Sequence, residues 1–167
     1  MFRFIPFQKE HFPLFMNWLT KDHVKPFWKE PESEQELKEK FWVKRPRQGM
    51  KSFIIEHMNN PVGYVQYYEA SKIGGGWWLD EQPGSFGIDV MIGEENRIGK
   101  GEGPKIIKSL VSFLRKQEPR VISVIADPSP ANQRAIRAFE KAGFKNESEI
   151  KTPDGPAILM RFTAQPS

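Results

Sequence analysis

The feature that most constrains this chain is the stretch from Phe86 to Gln117. A strand-like run, Phe86 to Ile92, leads into Gly99-Lys100-Gly101-Glu102-Gly103-Pro104, and an amphipathic segment follows to Gln117. Ile106, Ile107, Leu110, Val111 and Leu114 recur at helical spacing, so one face of that helix is buried. Pro104 suits the first helical position, where a missing N–H costs nothing. Gly101 and Gly103 let the backbone turn tightly and come close to a ligand. The helix start offers free N–H groups and the positive end of its dipole, a setting suited to phosphates. A short Gly-x-Gly also fits a plain tight turn. It is not a Walker loop, because Gly-Lys-Ser/Thr is absent, and it lacks the spacing of a dinucleotide fingerprint.

The elements around this unit alternate between strand and helix periods. Phe2 to Ile5 reads as a strand, and Phe12, Phe15, Met16 and Leu19 as one side of a helix whose start tolerates Pro13. Ser33-Glu34-Gln35-Glu36 has the capping-box pattern, with Leu37 and Phe41 on the apolar side of a second, surface helix. Ser52 to Met58 and Val62 to Tyr68 form a hairpin around Asn59-Asn60-Pro61. Val121 to Ala126 is a buried strand. Ser129-Pro130 looks like the start of a helix that carries Ala135, Ile136 and Phe139 inward and closes at Gly143. Glu147 to Lys151 and Ala157 to Phe162 make a last hairpin around Pro153-Asp154-Gly155. The order predicts a mixed α/β sheet, a single domain over residues 1–167, with helices on both faces.

Composition removes several function classes. There is no Cys among 167 residues, which excludes disulfides, Cys-ligated zinc and a Cys nucleophile. His11, His23 and His57 are scattered without metal-ligand spacing, so no metal is expected. No apolar run approaches the roughly 18 residues of a membrane span, and Phe2 to Phe7 lacks a signal-peptide layout. A net charge of +4, with basic and acidic residues interleaved, does not point to nucleic acid.

The second motif is Asn132-Gln133-Arg134-Ala135-Ile136-Arg137-Ala138-Phe139-Glu140-Lys141-Ala142-Gly143-Phe144. With the glycine loop it resembles the GNAT superfamily of acyl-CoA-dependent N-acetyltransferases. Trp18-Leu19, Phe27-Trp28, Gly63-Tyr64-Val65-Gln66, Gly76-Trp77-Trp78, Gly87-Ile88-Asp89, Asp127-Pro128-Ser129-Pro130 and Thr152-Pro153-Asp154-Gly155 are similar, in order and spacing, to aminoglycoside 6'-N-acetyltransferases. The resemblance implies the GNAT fold and acetyl transfer from acetyl-CoA to a primary amine. It implies a donor site at Val90, Met91, Ile98, Gly99, Lys100, Gly101, Glu102, Gly103, Asn132, Ala135 and Phe139. Asp89 falls at the position of the catalytic base or proton relay, and Asp127 and Asp154 at carboxylates that hold substrate ammonium groups. Trp28, Tyr68 and Trp77 would wall the acceptor site. Its partners would be acetyl-CoA and a small cationic amine, in the cytoplasm, with no nucleic acid or membrane, the protein working as a monomer or homodimer.

The chemistry of the residues agrees with that class. Amine acetylation needs no enzyme nucleophile, only a held thioester, a neutral amine and a route for the proton. Asp is disfavoured within strands, so Asp89 stands out, whereas Asp154 in Pro-Asp-Gly is also an ordinary turn residue. Core packing alone also explains many of the aromatics. Three positions depart from the family: Phe139 replaces a Tyr, Gly75 replaces an Asp before Gly-Trp-Trp, and Ile98 replaces Gln or Arg ahead of the glycine loop. The acceptor therefore stays open between an aminoglycoside and another amine, such as a polyamine, a siderophore precursor or a protein N-terminus. A non-catalytic acyl-CoA-binding module is the reading from a different class.

Overall fold

A computed structural model describes residues 1–28, 30, 33–73 and 81–164. Among the described residues, seven strands form one sheet in the order β1-β2-β3-β4-β5-β7-β6. They are β1 (Phe2–Pro6), β2 (Lys51–His57), β3 (Asn60–Glu69), β4 (Ser85–Ile92), β5 (Ser123–Ala126), β6 (Lys145–Thr152) and β7 (Gly155–Thr163). Only β4 and β5 run parallel; every other pair is antiparallel. Helices α1 (Phe12–Leu19), α2 (Glu34–Glu39) and α3 (Arg45–Arg47) precede β2, α4 (Glu102–Gln117) joins β4 to β5, and α5 (Gln133–Lys141) joins β5 to β6. The mixed α/β class and the element order read from periodicity are both found.

Period-two alternation sorts the sheet into two faces. Val65 and Tyr67 of β3, Phe86 and Ile88 of β4 and Val124 of β5 pack with Ile106, Leu110 and Leu114 of α4 and with Ile136 and Phe139 of α5. Ile54, Tyr64 and Met91 point the other way, into an aromatic cluster with Phe7, Phe12, Phe15, Trp18 and Phe41. Tyr64, Gln66 and Asp89 share that second face, because Gln66 lies opposite Asp89 in the β3–β4 register.

Local chemistry refines several sequence expectations. The hairpin turn is two residues, Met58 and Asn59, both at positive φ (52° and 67°), so Asn60 and Pro61 belong to β3. Ser33 Oγ accepts from the Glu36 amide at 3.3 Å, the N-cap half of the capping box. Helix α4 starts earlier than expected, at Glu102, which puts Pro104 third in the helix rather than first. Helix α5 starts later than Ser129-Pro130. Ser129 instead closes a small turn onto Ala131 N, and Asn132 is the N-cap, its Oδ1 accepting from Ala135 N at 3.2 Å. At the other end, Gly143 takes φ 101°, and the amides of Gly143 and Phe144 return to the carbonyls of Glu140 and Phe139.

Between α2 and α3 the chain widens into one π-turn, Lys40–Lys44, in which Arg45 N reaches Lys40 O. Pro46 follows directly and has no N–H to offer the carbonyl of Trp42, so the regular helical ladder cannot continue through it. The wider turn brings Lys40 and Arg45 to one side, where both meet Glu30.

Candidate functional site

Strand β4 is paired on one side along all of its length but the first residue, and on the other only at its start. Seven β3 residues lie opposite Phe86 to Ile92, whereas β5 meets only Ser85, Phe86 and Gly87. Beyond Gly87 the two parallel strands diverge, and β5 ends at Ala126. Among the described residues no strand pairs with β4 on that side from Ile88 onward. The fork leaves strand-like backbone groups for an extended ligand to use. Two adjoining clefts open beside it.

The larger, about 580 Å³, runs between the end of β4, the glycine loop and α5. Val90, Met91, Ile98, Gly99, Gly101, Glu102, Gly103, Asn132, Ala135 and Phe139 all line it. Gly99 and Gly101 take φ of 76° and 75°, which a side chain would strain, and nothing stands within 4 Å of where their Cβ atoms would be. Gly101 is the N-cap of the sixteen-residue α4, so the N–H groups of Glu102 and Gly103 head an uncapped helix start. Gly103 has a packing part besides lining the groove. It lies inside α4, where its Cβ would come within 3.3 Å of the Ala138 Cβ, so its smallness lets α4 and α5 approach. The Glu102 carboxylate is turned aside by Arg97, whose Nη1 donates to both its oxygens at 2.9 and 2.8 Å. Lys100 is exposed and does not line the groove.

Sequence reasoning missed the basic side of this groove. Arg134, Arg137 and Lys141 line it from α5. Their spacing of three and four residues, visible in the motif itself, puts them on one stripe of the helix.

The smaller cleft, about 240 Å³, adjoins the groove and shares Phe27, Trp28, Val90, Asn132, Ala135 and Phe139 with it. Asp89 from β4, Asp127 just past β5 and Asp154 from the β6–β7 turn all line it, although 65 residues separate the first from the last. Trp28 meets the Tyr64 ring edge-on at 5.7 Å and forms part of the wall. Tyr68 lines neither cleft. It is 3% exposed and packs with Ala70 and Ile125, and a Cβ at Gly87 would overlap its ring, which explains the glycine there. Tyr67 faces the main core and donates to Glu118 at 3.1 Å. Trp77, with Trp78 and Gly75, lies outside the described residues.

The aspartates differ in what surrounds them. Gln66 Nε2 donates to Asp89 Oδ2 at 2.8 Å. Burial pushes the Asp89 carboxyl up, while that bond and Arg45 draw it back and Glu30 and Asp154 push it further up. Asp127 is pushed well above the ordinary carboxylate range, first by burial and then by the negative charge of Asp89. Crowded carboxylates in a half-buried cleft repel one another, so the cleft favours a ligand that brings positive charge. Phe139, 6% exposed and edge-on to Phe144, has no proton to give. Among the described residues no group of three or more His, Cys, Asp or Glu could hold a metal ion, and no helix is long and apolar enough to cross a membrane.

Residues 8–152 match the family model of the acetyltransferase (GNAT) domain. The chain belongs to the GNAT acetyltransferase family. Its relatives include aminoglycoside N(6')-acetyltransferase type 1 of Klebsiella pneumoniae, 37% identical over 153 residues, spanning 89% of this chain and 76% of the relative. A kanamycin resistance protein of Rhizobium radiobacter is 46% identical over 92 residues, 54% of this chain and 84% of that one. A crystal structure of aminoglycoside acetyltransferase AAC(6')-Ib with coenzyme A and kanamycin superposes with a TM-score of 0.91 at 33% identity, covering 98% of this chain and 95% of the other. This GNAT acetyltransferase thus shares both fold and sequence with enzymes that act on aminoglycosides.

Proposed function

We propose that this acetyltransferase moves the acetyl group of acetyl-CoA to the 6'-amine of an aminoglycoside. The observation that carries the reading is the pair of adjoining clefts at the β4–β5 fork, one built for an anionic chain and one crowded with carboxylates. The α4 N-terminus and the Arg134, Arg137 and Lys141 stripe suit the diphosphate and phosphate of the donor. The open side of β4 at Val90 and Met91 suits its amide-bearing arm. Asp127 and Asp154 suit ammonium groups of a polycation, with Trp28 against its rings.

In the transfer, the amine nitrogen attacks the thioester carbonyl, a C–N bond forms, the C–S bond breaks, and the amine gives up a proton. Asp89 orients the amine and takes that proton during the attack; an ordinary carboxylate is too weak a base to strip a free ammonium beforehand. Phe139 cannot protonate the departing thiolate. A thiol ionises near pH 8.5, so the thiolate leaves unassisted or takes its proton from water. The protein is expected to work as a monomer or a homodimer. Use of acetyl-CoA goes with a cytoplasmic location.

An acceptor panel tests the reading. Acetyl-CoA is offered with kanamycin, tobramycin, spermidine, N-hydroxylysine and a peptide N-terminus, and free thiol is followed. Turnover is expected with the aminoglycosides, and product mass and NMR should place the acetyl on the 6'-nitrogen. Turnover restricted to another amine would replace this acceptor. No turnover with any amine, alongside tight coenzyme A binding, would mark a binding module.

The donor site has its own test. Gly101→Val puts a β-branched side chain at φ 75°, a conformation that costs an L residue roughly 1–2 kcal/mol. It also blocks the approach to the amides that begin α4. Calorimetry is expected to show coenzyme A binding weakened by about tenfold or more, each factor of ten being ~1.4 kcal/mol. A folded variant with unchanged affinity would remove the loop from the donor site.

A further inference from the structure

The acidic cleft contains an oddity for a site that receives a cation: a buried guanidinium. Arg45 is 6% exposed and lines the cleft together with Lys40 and Glu30. The Glu30 side chain is only 3% exposed, and its oxygens take Arg45 Nη2 at 3.0 and 2.8 Å and Lys40 Nζ at 2.6 Å. Arg45 also lies over the Phe41 ring, 4.3 Å from its centroid. Its other nitrogen, Nη1, is 3.4 Å from the Tyr64 hydroxyl.

From Tyr64 a chain of bonds continues to Asp89. The hydroxyl lies 2.8 Å from both Ser52 Oγ and Gln66 Oε1. It has one proton. Gln66 commits its Nε2 to Asp89, so Oε1 accepts that proton, and Ser52 donates to the tyrosine oxygen. Each member fixes the next, and the path from Arg45 ends on Asp89 Oδ2. Burial pushes the Tyr64 phenol far above its ordinary value, so it stays a neutral donor throughout the working pH range. Asp127, with Asp89 and Asp154 acting on it, has no such path from a cation among the described residues, where its own backbone holds its carboxyl.

We propose that Arg45 is a positioning residue for acetyl transfer, which through Tyr64 and Gln66 fixes the rotamer of the Asp89 carboxylate and gives it a counter-charge that the substrate does not displace. The proposal rests on the reading of Asp89 as the group that faces the amine. It explains why a cation sits in a cation-binding cleft. Glu30, itself bonded to Lys40, holds Arg45 beside Tyr64, from where its charge acts on Asp89. The π-turn before Pro46 is what swings Lys40 and Arg45 onto the same carboxylate. Among the described residues, the groups facing Asp89 are Gln66 and Tyr64 from β3, Arg45 and Lys40 from the helical segment, Glu30 before α2, and Asp127 and Asp154 across the cleft.

The test uses Tyr64→Phe, Arg45→Met and Arg45→Lys in the full chain. Tyr64→Phe removes one oxygen and keeps the packing, so it remains informative should Arg45→Met fail to fold. Two readouts are taken: the pH profile of kcat with an aminoglycoside, and the carbon-13 titration of the Asp89 carboxyl, assigned by its loss in Asp89→Asn. Expected for Tyr64→Phe and Arg45→Met are a kcat lower by about tenfold to a hundredfold with the KM for acetyl-CoA unchanged. The acidic limb of the profile and the Asp89 titration should move to higher pH, for Arg45→Met by roughly one unit. Arg45→Lys should restore part of both. A role confined to folding predicts lowered Tm with the titration unmoved, and that result in folded variants would overturn the proposal. If the wild type acetylates no aminoglycoside while the carboxyl titration still moves, the acceptor reading fails and the relay stands.

Discussion

Replacing Asp89 by Asn is expected to lower kcat by about a hundredfold to ten-thousandfold, the usual reach of a positioned acid–base group, while coenzyme A binds as before. Asn keeps the size of the side chain and a bond to Gln66. It loses the negative charge that faces the amine and the ability to take its proton. The larger groove, proposed for the donor, is lined by Val90 and Met91 next to Asp89 and by residues of α4 and α5, none of which the substitution alters. Stopped-flow thiol release and calorimetry on one preparation check both halves. Full turnover in Asp89→Asn would assign the proton to another group, and Asp127 would be first in line. Weakened coenzyme A binding would mean that the two clefts are not as separate as their walls suggest.

The second large effect is expected from Asp127→Asn with Asp154→Asn. Removing two carboxylates from a polycation site should raise the aminoglycoside Kd by about a hundredfold at low salt, each buried charged contact being worth ~1.5–3 kcal/mol. Coenzyme A affinity should not change. An unchanged aminoglycoside Kd would leave both aspartates with structural roles only. Asp127 adds a pH signature. Its carboxyl is pushed well above the ordinary range by burial and by Asp89. The free folded protein therefore holds this proton more tightly than the unfolded chain. The resulting stability is full below the ordinary carboxylate pKa and is lost as pH rises through the elevated one. At neutral pH Asp127→Asn should raise Tm, by roughly 2–4 °C for each kcal/mol regained in a chain of this size, and flatten the dependence of Tm on pH. An acceptor must ionise Asp127 as it binds, so wild-type binding enthalpy should vary with the ionisation enthalpy of the buffer, and the variant's should not.

What the sequence disclosed and what it withheld follow from range. The strand, glycine loop and helix from Phe86 to Gln117 are local, and so were legible. The aspartates were legible one at a time, as an acid inside a strand, an acid before proline and an acid at a hairpin tip. Their convergence on one cleft depends on β5 lying between β4 and β7, a pairing that no local pattern announces. Arg45 was missed for a related reason. In sequence it reads as one more basic residue in Lys44-Arg45-Pro46-Arg47, and only the π-turn and Glu30 make it a buried charge. For Tyr68, which the resemblance puts in the acceptor wall, strand alternation adds a small core beside Gly87 that no local pattern announces. The N-cap at Asn132 could have been found, because Asn is among the strongest capping residues and Ala135 follows at the required distance.

The divergence of β4 from β5 also governs how the molecule holds together. The sheet is two ribbons, β1 to β4 and β5 with β7 and β6, stitched by three residue pairs at Ser85, Phe86 and Gly87. A molecule lying in the fork with polar groups toward both sides completes the seam as an added rung. Occupancy then strengthens the weakest joint of the architecture, so the affinity for whatever fills the fork and the cohesion of the two ribbons draw on the same free energy.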